Sequence, residues 1–244
     1  MSYCRTGLLW LLIGMAPVAG AYEITVGGTL NYADTNNPLT VDGKSASFKV
    51  GGAGLVASFK SVDLGRADIE AGIGYSPSED VAFLSLAANG DASSYYYRMA
   101  YQFPIRVANK WVLEPYINYT HHTISGDFEG QFGSQSLTVD TSSDVSFLAY
   151  GVNLHYLLGS SNFVYVGLGE LKSDIHADVN GRLSSGISAA TNVMTTDTTF
   201  NYTVGYVFEV FGRESWLEFS SAKIRGDQTV NLRSLRLYHS FFSF

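Results

Sequence analysis

Phe200 to Val210 reads FNYTVGYVFEV, and its residues sort into two sets by alternate position. Phe200, Tyr202, Val204, Tyr206, Phe208 and Val210 form one set; Asn201, Thr203, Gly205, Val207 and Glu209 form the other. Successive side chains of a strand point to opposite faces, so the segment is a strand with one large apolar face and one smaller, more polar face. The same period continues on either side. Tyr95, Tyr97, Met99, Tyr101, Phe103 and Ile105 oppose Ser94, Tyr96, Arg98, Ala100 and Gln102. Leu148, Tyr150, Val152, Leu154 and Tyr156 oppose Phe147, Ala149, Gly151, Asn153 and His155. Ten strands are predicted in this way, at residues 22–34, 46–60, 66–76, 92–105, 110–124, 144–158, 162–177, 197–211, 214–224 and 229–244.

Large apolar residues on one face and amide or charged residues on the other make a lipid-out, lumen-in pattern. No segment beyond the leader is apolar enough to cross a bilayer as a helix. A membrane form must then be a closed barrel, the other structure that satisfies every backbone group in lipid. Composition agrees: 16 Tyr, 15 Phe and 25 Gly against 5 Pro, with 15% charged residues. The expected fold is an all-β, antiparallel up-and-down barrel of about ten strands, with eight or twelve as fallback counts.

The joins support it. Those at residues 106–109, 159–161 and 212–213 are tight and the one at 61–65 nearly so, whereas 77–91, 125–143 and 178–196 read as long polar loops. Short turns on one rim and long loops on the other are the asymmetry of outer-membrane barrels, and an even strand count puts both termini on the short rim. A soluble β-sandwich offers no reason for that asymmetry. Aromatic residues gather at two levels: Trp111, Phe163, Trp216, Phe103 and Phe211 beside the short turns, Tyr32, Tyr75, Tyr95, Tyr119 and Phe200 at the other end. Two such girdles are expected at the two headgroup regions.

The chain ends on Phe244, with Phe242 and Tyr238 in step. This resembles the terminal signal of bacterial outer-membrane proteins, which implies recognition by the barrel-assembly machinery. Ser240 and Arg236 depart from the pattern, and Leu235 and Leu237 hold the opposite parity, a conflict that a bulge near His239 would resolve. In the ninth strand Trp216 and Glu218 share one parity while Leu217 and Phe219 hold the other. Along the whole of residues 22–244 the chain resembles the broad class of small bacterial outer-membrane barrels, a resemblance of architecture that brings no catalytic residue with it.

Residues 1–21 read as a cleaved leader: Arg5 in a basic start, the apolar run Gly7 to Met15, and a small-x-small site at Ala19-Gly20-Ala21. The run is too short for a spanning helix. The single cysteine, Cys4, precedes it, so residues 22–244 hold no disulfide and no lipidation site. The expectation is export to the bacterial outer membrane and one barrel domain over 22–244. A net charge of −7 argues against nucleic acid as a partner. The partners expected instead are outer-membrane lipid, lipopolysaccharide and the assembly machinery, with a surface ligand left open.

The expected lumen network comprises Glu70, Arg98, Gln102, Glu114, Asn118, Asn153, Glu170, Lys172 and Glu209, with the cations offsetting the acids. A ten-stranded lumen is only slightly wider than one that side chains fill. A plug is therefore expected over a narrow cation-preferring passage. The far rim is acidic, with Asp34, Asp42, Glu79, Asp80, Asp91, Asp127, Glu129, Asp140, Asp144, Asp178 and Asp197 facing Lys44, Arg182 and Arg225. That is a solvated surface first, and a weak divalent-cation bridge to lipid phosphates second. No metal-ligand spacing and no cofactor motif is present.

One catalytic constellation is conceivable: Asp174 and His176 on the seventh strand with His122 on the fifth. A His–Asp pair at the mouth of a ten-stranded barrel resembles omptin proteases, in strand count and residue types alone, and implies activation of a water. Asn118-Tyr-Thr120 and Asn201-Tyr-Thr203 fit a glycosylation sequon, but within strands they are polar alternation. Arg225-Gly226-Asp227 matches an adhesive tripeptide and equally a hairpin turn. The leading expectation is a surface protein of structural or adhesive type; the rivals are a narrow porin-like channel and a rim hydrolase. The protein recovered from the outer membrane should begin at Tyr22 on N-terminal sequencing, and a soluble periplasmic form would contradict the export reading.

Overall fold

The computed structural model describes residues 22–35, 39–41, 44–46, 49–83, 86–159, 161–225 and 229–244. The expected leader and cleavage site at 1–21, and Gly226-Asp227, lie outside them. Thirteen strands follow in order: β1 (Tyr22–Thr35), β2 (Leu39–Val41), β3 (Lys44–Ala46), β4 (Lys49–Ser61), β5 (Gly65–Phe83), β6 (Leu86–Gln102), β7 (Ile105–Ala108), β8 (Trp111–Phe132), β9 (Gln135–Leu157), β10 (Phe163–Leu183), β11 (Ser188–Val210), β12 (Arg213–Arg225) and β13 (Thr229–Ser243). Ten of these are staves of a closed antiparallel barrel. Each stave pairs with the next along the chain, and β13 returns to β1. The short β2 and β3 pair together and extend the far end of β5, while β7 folds onto the start of β8.

Closure brings the ends together. Leu30 sits opposite Leu237, and Ile24 and Phe244 exchange both backbone hydrogen bonds, at 3.1 and 2.9 Å. Both described ends therefore lie on the rim of short turns. At one of those turns Phe211 and Gly212 both have positive φ, 51° and 71°, the mirror-image turn geometry that matches the twist of a hairpin.

The stretches read as long polar loops are mostly strand. β8 runs on to Phe132 and β9 starts at Gln135; β10 runs to Leu183 and β11 starts at Ser188. Their outward positions are polar because they stand in water, which hid the alternation. Their inward positions are apolar: Phe128, Leu137 and Val139 are buried with Ala88 and Ala92, and Ile124, Val179 and Leu183 pack against them. β8 to β11 are 21 to 23 residues long, whereas β1, β4, β12 and β13 are 13 to 15. A tilted strand crosses a bilayer in about 9–11 residues. One side of the wall is thus tall and the other low.

The faces of β11 follow the alternation, with Tyr202, Val204 and Tyr206 exposed outward and Asn201, Thr203, Gly205 and Val207 buried inward. Two expected girdle residues turn out differently. Trp216 is buried in the lumen, stacked on Tyr238 at 5.3 Å between ring centres, because Leu217 and Phe219 occupy the outward positions of β12. Phe163 packs inward against the same cluster, the outward place on β10 being taken by Val164. Trp111 and Phe103 are exposed on the outer wall, and Phe211 projects from its turn.

The last strand contains the bulge that its conflicting parities demanded. Val26 faces Phe242 but Gly27 faces Ser240, so Phe241 is the extra residue, two positions beyond His239. Leu235, Leu237 and Phe241 are therefore exposed before the shift, and Phe242 and Phe244 after it. Tyr238, expected to share the face of Phe242, lies on the other one and is fully buried. Ser240 and Arg236 depart from the apolar pattern because they too face inward.

Val204 is 54% exposed at mid-depth on the outer wall. Val204→Arg should cost about 2–4 kcal/mol of folding stability in liposomes, and Val204→Leu almost nothing. Denaturant titration of both variants reads the difference.

Candidate functional site

The lumen is crossed at mid-height by a charged belt centred on Glu70, which is 1% exposed. One carboxylate oxygen of Glu70 accepts from Thr29 Oγ1 (2.5 Å), the Tyr96 hydroxyl (2.9 Å) and Asn31 Nδ2 (3.4 Å). The other accepts from the Arg236 guanidinium, which also lies over the Trp216 ring at 4.7 Å. Arg98 Nη1 stands 3.9 Å from that second oxygen, close enough to attract and too far to donate. Four donors thus converge on one buried carboxylate and are held in place by it.

Tyr96 reaches Glu70 because the wall beneath it carries no side chains. A Cβ on Gly72 would lie 2.5 Å from the Tyr96 ring, and one on Gly54 would strike its hydroxyl. Tyr165 lies in the same way across Gly205. Inward tyrosines over inward glycines let rings lie flat across a lumen too narrow for them to stand upright.

Towards the short-turn rim a second network continues the belt. Arg66 bonds Asp68 (2.7 Å) and Glu214 (2.8 Å), and Glu214 also holds Lys60 at 2.5 Å. Glu114 accepts from Asn153 Nδ2 at 3.2 Å and lies 3.1 Å from His155 Nε2; the Tyr165 hydroxyl donates to Glu218 at 2.6 Å. These groups surround a cavity of about 320 Å³. A second cavity, of about 210 Å³, lies on the tall-hairpin side. Arg98, Arg236 and Glu218 border both, so the belt stands between them.

Of the expected lumen residues, Glu70, Arg98, Gln102, Glu114, Asn118 and Asn153 line these cavities. Glu209 has inward parity but is exposed at the short rim. Glu170 and Lys172 are on the outer wall. Leu171 and Ser173 take the inward positions, and Leu168, two residues below Glu170, is the last apolar residue facing outward. Beyond that height the outward positions of β10 are polar, though Phe200 of β11 faces outward opposite Glu170, and the Tyr150 hydroxyl donates to Glu170 there. Asp174 and His176 follow the same outward parity, whereas His122 faces the lumen and stacks on Tyr96 at 5.3 Å. The three candidate catalytic residues therefore do not converge.

The sequence reading missed Lys60, Arg66, Asp68, Glu214, Glu218 and Arg236. Asp68 shares the parity of Glu70 and was available to the alternation. Arg236 was read for a terminal signal rather than for the lumen, and the ninth strand offered two faces without deciding between them. A polar cluster also formed on the outer wall: His121 Nδ1 lies 2.9 Å from Ser146 Oγ, and Thr123 donates to Asp144 at 3.0 Å. On the exposed hairpins Asp127 and Asp140 stand directly opposite each other. Among the described residues no group of three or more His, Cys, Asp or Glu is placed to hold a metal ion. The side chains of Asp42, Lys44, Glu79, Asp80 and Arg225 lie outside the description.

No family model matches the chain, and no curated protein matches it. Solved structures do match. The outer-membrane protease OmpT of Escherichia coli aligns over 92% of this chain and 97% of its own, at 6% identity and a TM-score of 0.52. The chain has the fold of the bacterial outer-membrane β-barrels. Looser matches include the translocator domain of the autotransporter NalP from Neisseria meningitidis (10% identity, 97% and 94% coverage, TM-score 0.46). Another is the attachment invasion locus protein Ail of Yersinia pestis (12% identity, 93% and 100% coverage, TM-score 0.34). At these identities the likeness extends to the fold alone.

Arg236→Met should lower the unfolding midpoint sharply, at about 3–5 kcal/mol, because it leaves Glu70 buried with Arg98 out of bonding range. Adding Glu70→Gln should restore much of the loss. Denaturant titration of the single and double variants checks the coupling, and an additive pair would contradict it.

Proposed function

We propose that the protein is a closed-lumen surface barrel of the bacterial outer membrane, structural or adhesive in role, that holds its acidic hairpins clear of the bilayer. One observation carries this reading: Arg236 and Arg98, which bind and face Glu70, border both cavities, so the charged belt lies between them. An ion passing from one cavity to the other would have to pass these charged side chains, and separating Glu70 from Arg236 to admit it would be costly. The effort of the fold is directed outward instead. The hairpins β8–β9 and β10–β11 carry Asp127, Glu129, Asp140, Asp144 and Asp178 on exposed positions.

In this reading the leader directs export, the outward Phe242 and Phe244 serve the assembly machinery, and outer-membrane lipid and lipopolysaccharide surround the wall. A surface ligand would meet the hairpins, and nucleic acid is disfavoured by the charge. Planar-bilayer recording tests the closed lumen. Wild-type protein should give no steady conductance, and Arg236→Met should introduce brief openings. Stable cation-selective current through the wild type would replace this reading with a narrow channel.

A further inference from the structure

The cavity of about 210 Å³ on the tall-hairpin side is unusual in what its walls leave undone. Five of its lining residues present a buried polar atom with no hydrogen-bond partner: Asn31 Oδ1, Ser94 Oγ, Arg98 Nη1, Asn118 Oδ1 and His122 Nδ1. Ser94 is 3% exposed, so its hydroxyl cannot turn to bulk water. Buried polar groups are nearly always paired, and each one left alone costs free energy. Five around one space mark a place where something polar belongs.

The rest of the wall is mixed, with Thr120, Asn201, Glu218, Ser220 and Ser234 on it and one apolar sector. Phe147, Ala149, Leu171 and Ala222 line it, and the His122 ring stands edge-on to Phe147 at 6.3 Å between centres. A space of about 150 Å³ with apolar walls already takes a benzene ring in a protein interior. This one is larger, yet below the roughly 300 Å³ at which sites for drug-sized ligands begin. Its occupant is thus one ring or a short chain, with one compact head group.

The charges select that head group. Glu70 has its oxygens occupied by Arg236, Thr29 and Tyr96, and Glu218 is bonded by Tyr165. Arg98 Nη1 is a buried cationic nitrogen without an acceptor, 3.9 Å from Glu70, in a residue on the cavity wall. We propose that this cavity binds a small monocarboxylate with an apolar body, its oxygens accepting from Arg98 and Ser94 and its ring or chain lying against Phe147, Leu171 and Ala222. The proposal goes beyond the closed-lumen reading and does not depend on it, because the cavity lies to one side of the belt.

Benzoate, with neutral benzamide as its isostere, tests the assignment by calorimetric titration of the barrel in lipid nanodiscs. Saturable one-to-one benzoate binding is expected, tighter than that of benzamide. Arg98→Gln should weaken benzoate by roughly tenfold or more, the worth of a charged hydrogen bond, and benzamide, whose neutral carbonyl accepts more weakly, by clearly less. Since Arg98 also faces Glu70, a second variant avoids the belt: Ala222→Leu fills the cavity from the opposite wall and should abolish binding of both probes. Failure of wild type to bind benzoate, or binding indifferent to Ala222→Leu, overturns the proposal. Neither result bears on conductance, so the two readings fail separately.

Discussion

The structure depends on one seam. Where β1 meets β13, eleven pairs of residues from Thr25 to Thr35 complete a ladder that would otherwise end in two raw edges. In hydrocarbon an unpaired backbone group costs several kcal/mol, so the sheet closes fully or does not span at all. The bulge at Phe241 makes that closure compatible with the sequence. Without the extra residue, either Leu235 and Leu237 or Phe242 and Phe244 would have to face the lumen. A one-residue slip reverses every side chain of a strand, and here it is used to bring two apolar runs onto the same outer wall.

Closure creates the second problem, an interior that must be filled. Ten staves enclose too much space for small residues and too little for a column of upright rings. The chain fills it with Tyr96 and Tyr165 laid over Gly72 and Gly205, and with the Trp216–Tyr238 stack near the short rim. Charge takes the remaining height. The belt is consequently a packing solution as well as an electrostatic one: Arg236 bonds Glu70 with its guanidinium head while the same group covers the Trp216 face.

Barrel, strand number and rim asymmetry were legible in the sequence because each rests on period two, which local residues impose. Glu70, Arg98, Glu114 and Asn153 were legible for the same reason. What failed was an assumption about which face charge prefers. Glu170 and Lys172 were placed inward because lipid excludes charge, but on β10 they lie past Leu168, where the outward positions of that strand turn polar. Parity is a local property and height is not; height depends on stagger, which no single strand encodes. The tall hairpins were missed for a related reason. Polar outward positions were read as loop, although Leu137, Val139 and Phe128 kept the alternation on the inner side.

The unequal wall gives the molecule a front and a back. Strands of 21 to 23 residues are roughly 70–75 Å long at about 3.3 Å per residue, against 13 to 15 residues on the opposite side. Anything approaching along the membrane plane meets long staves from one direction and short ones from the other. In the plane of the membrane the long staves β8 to β11 face one way and the shorter β12, β13, β1 and β4 the other, with the β2–β3 pair standing beside the far end of β5. Rotation about the membrane normal, immaterial for a symmetric cylinder, therefore determines which surface of this protein its neighbours encounter.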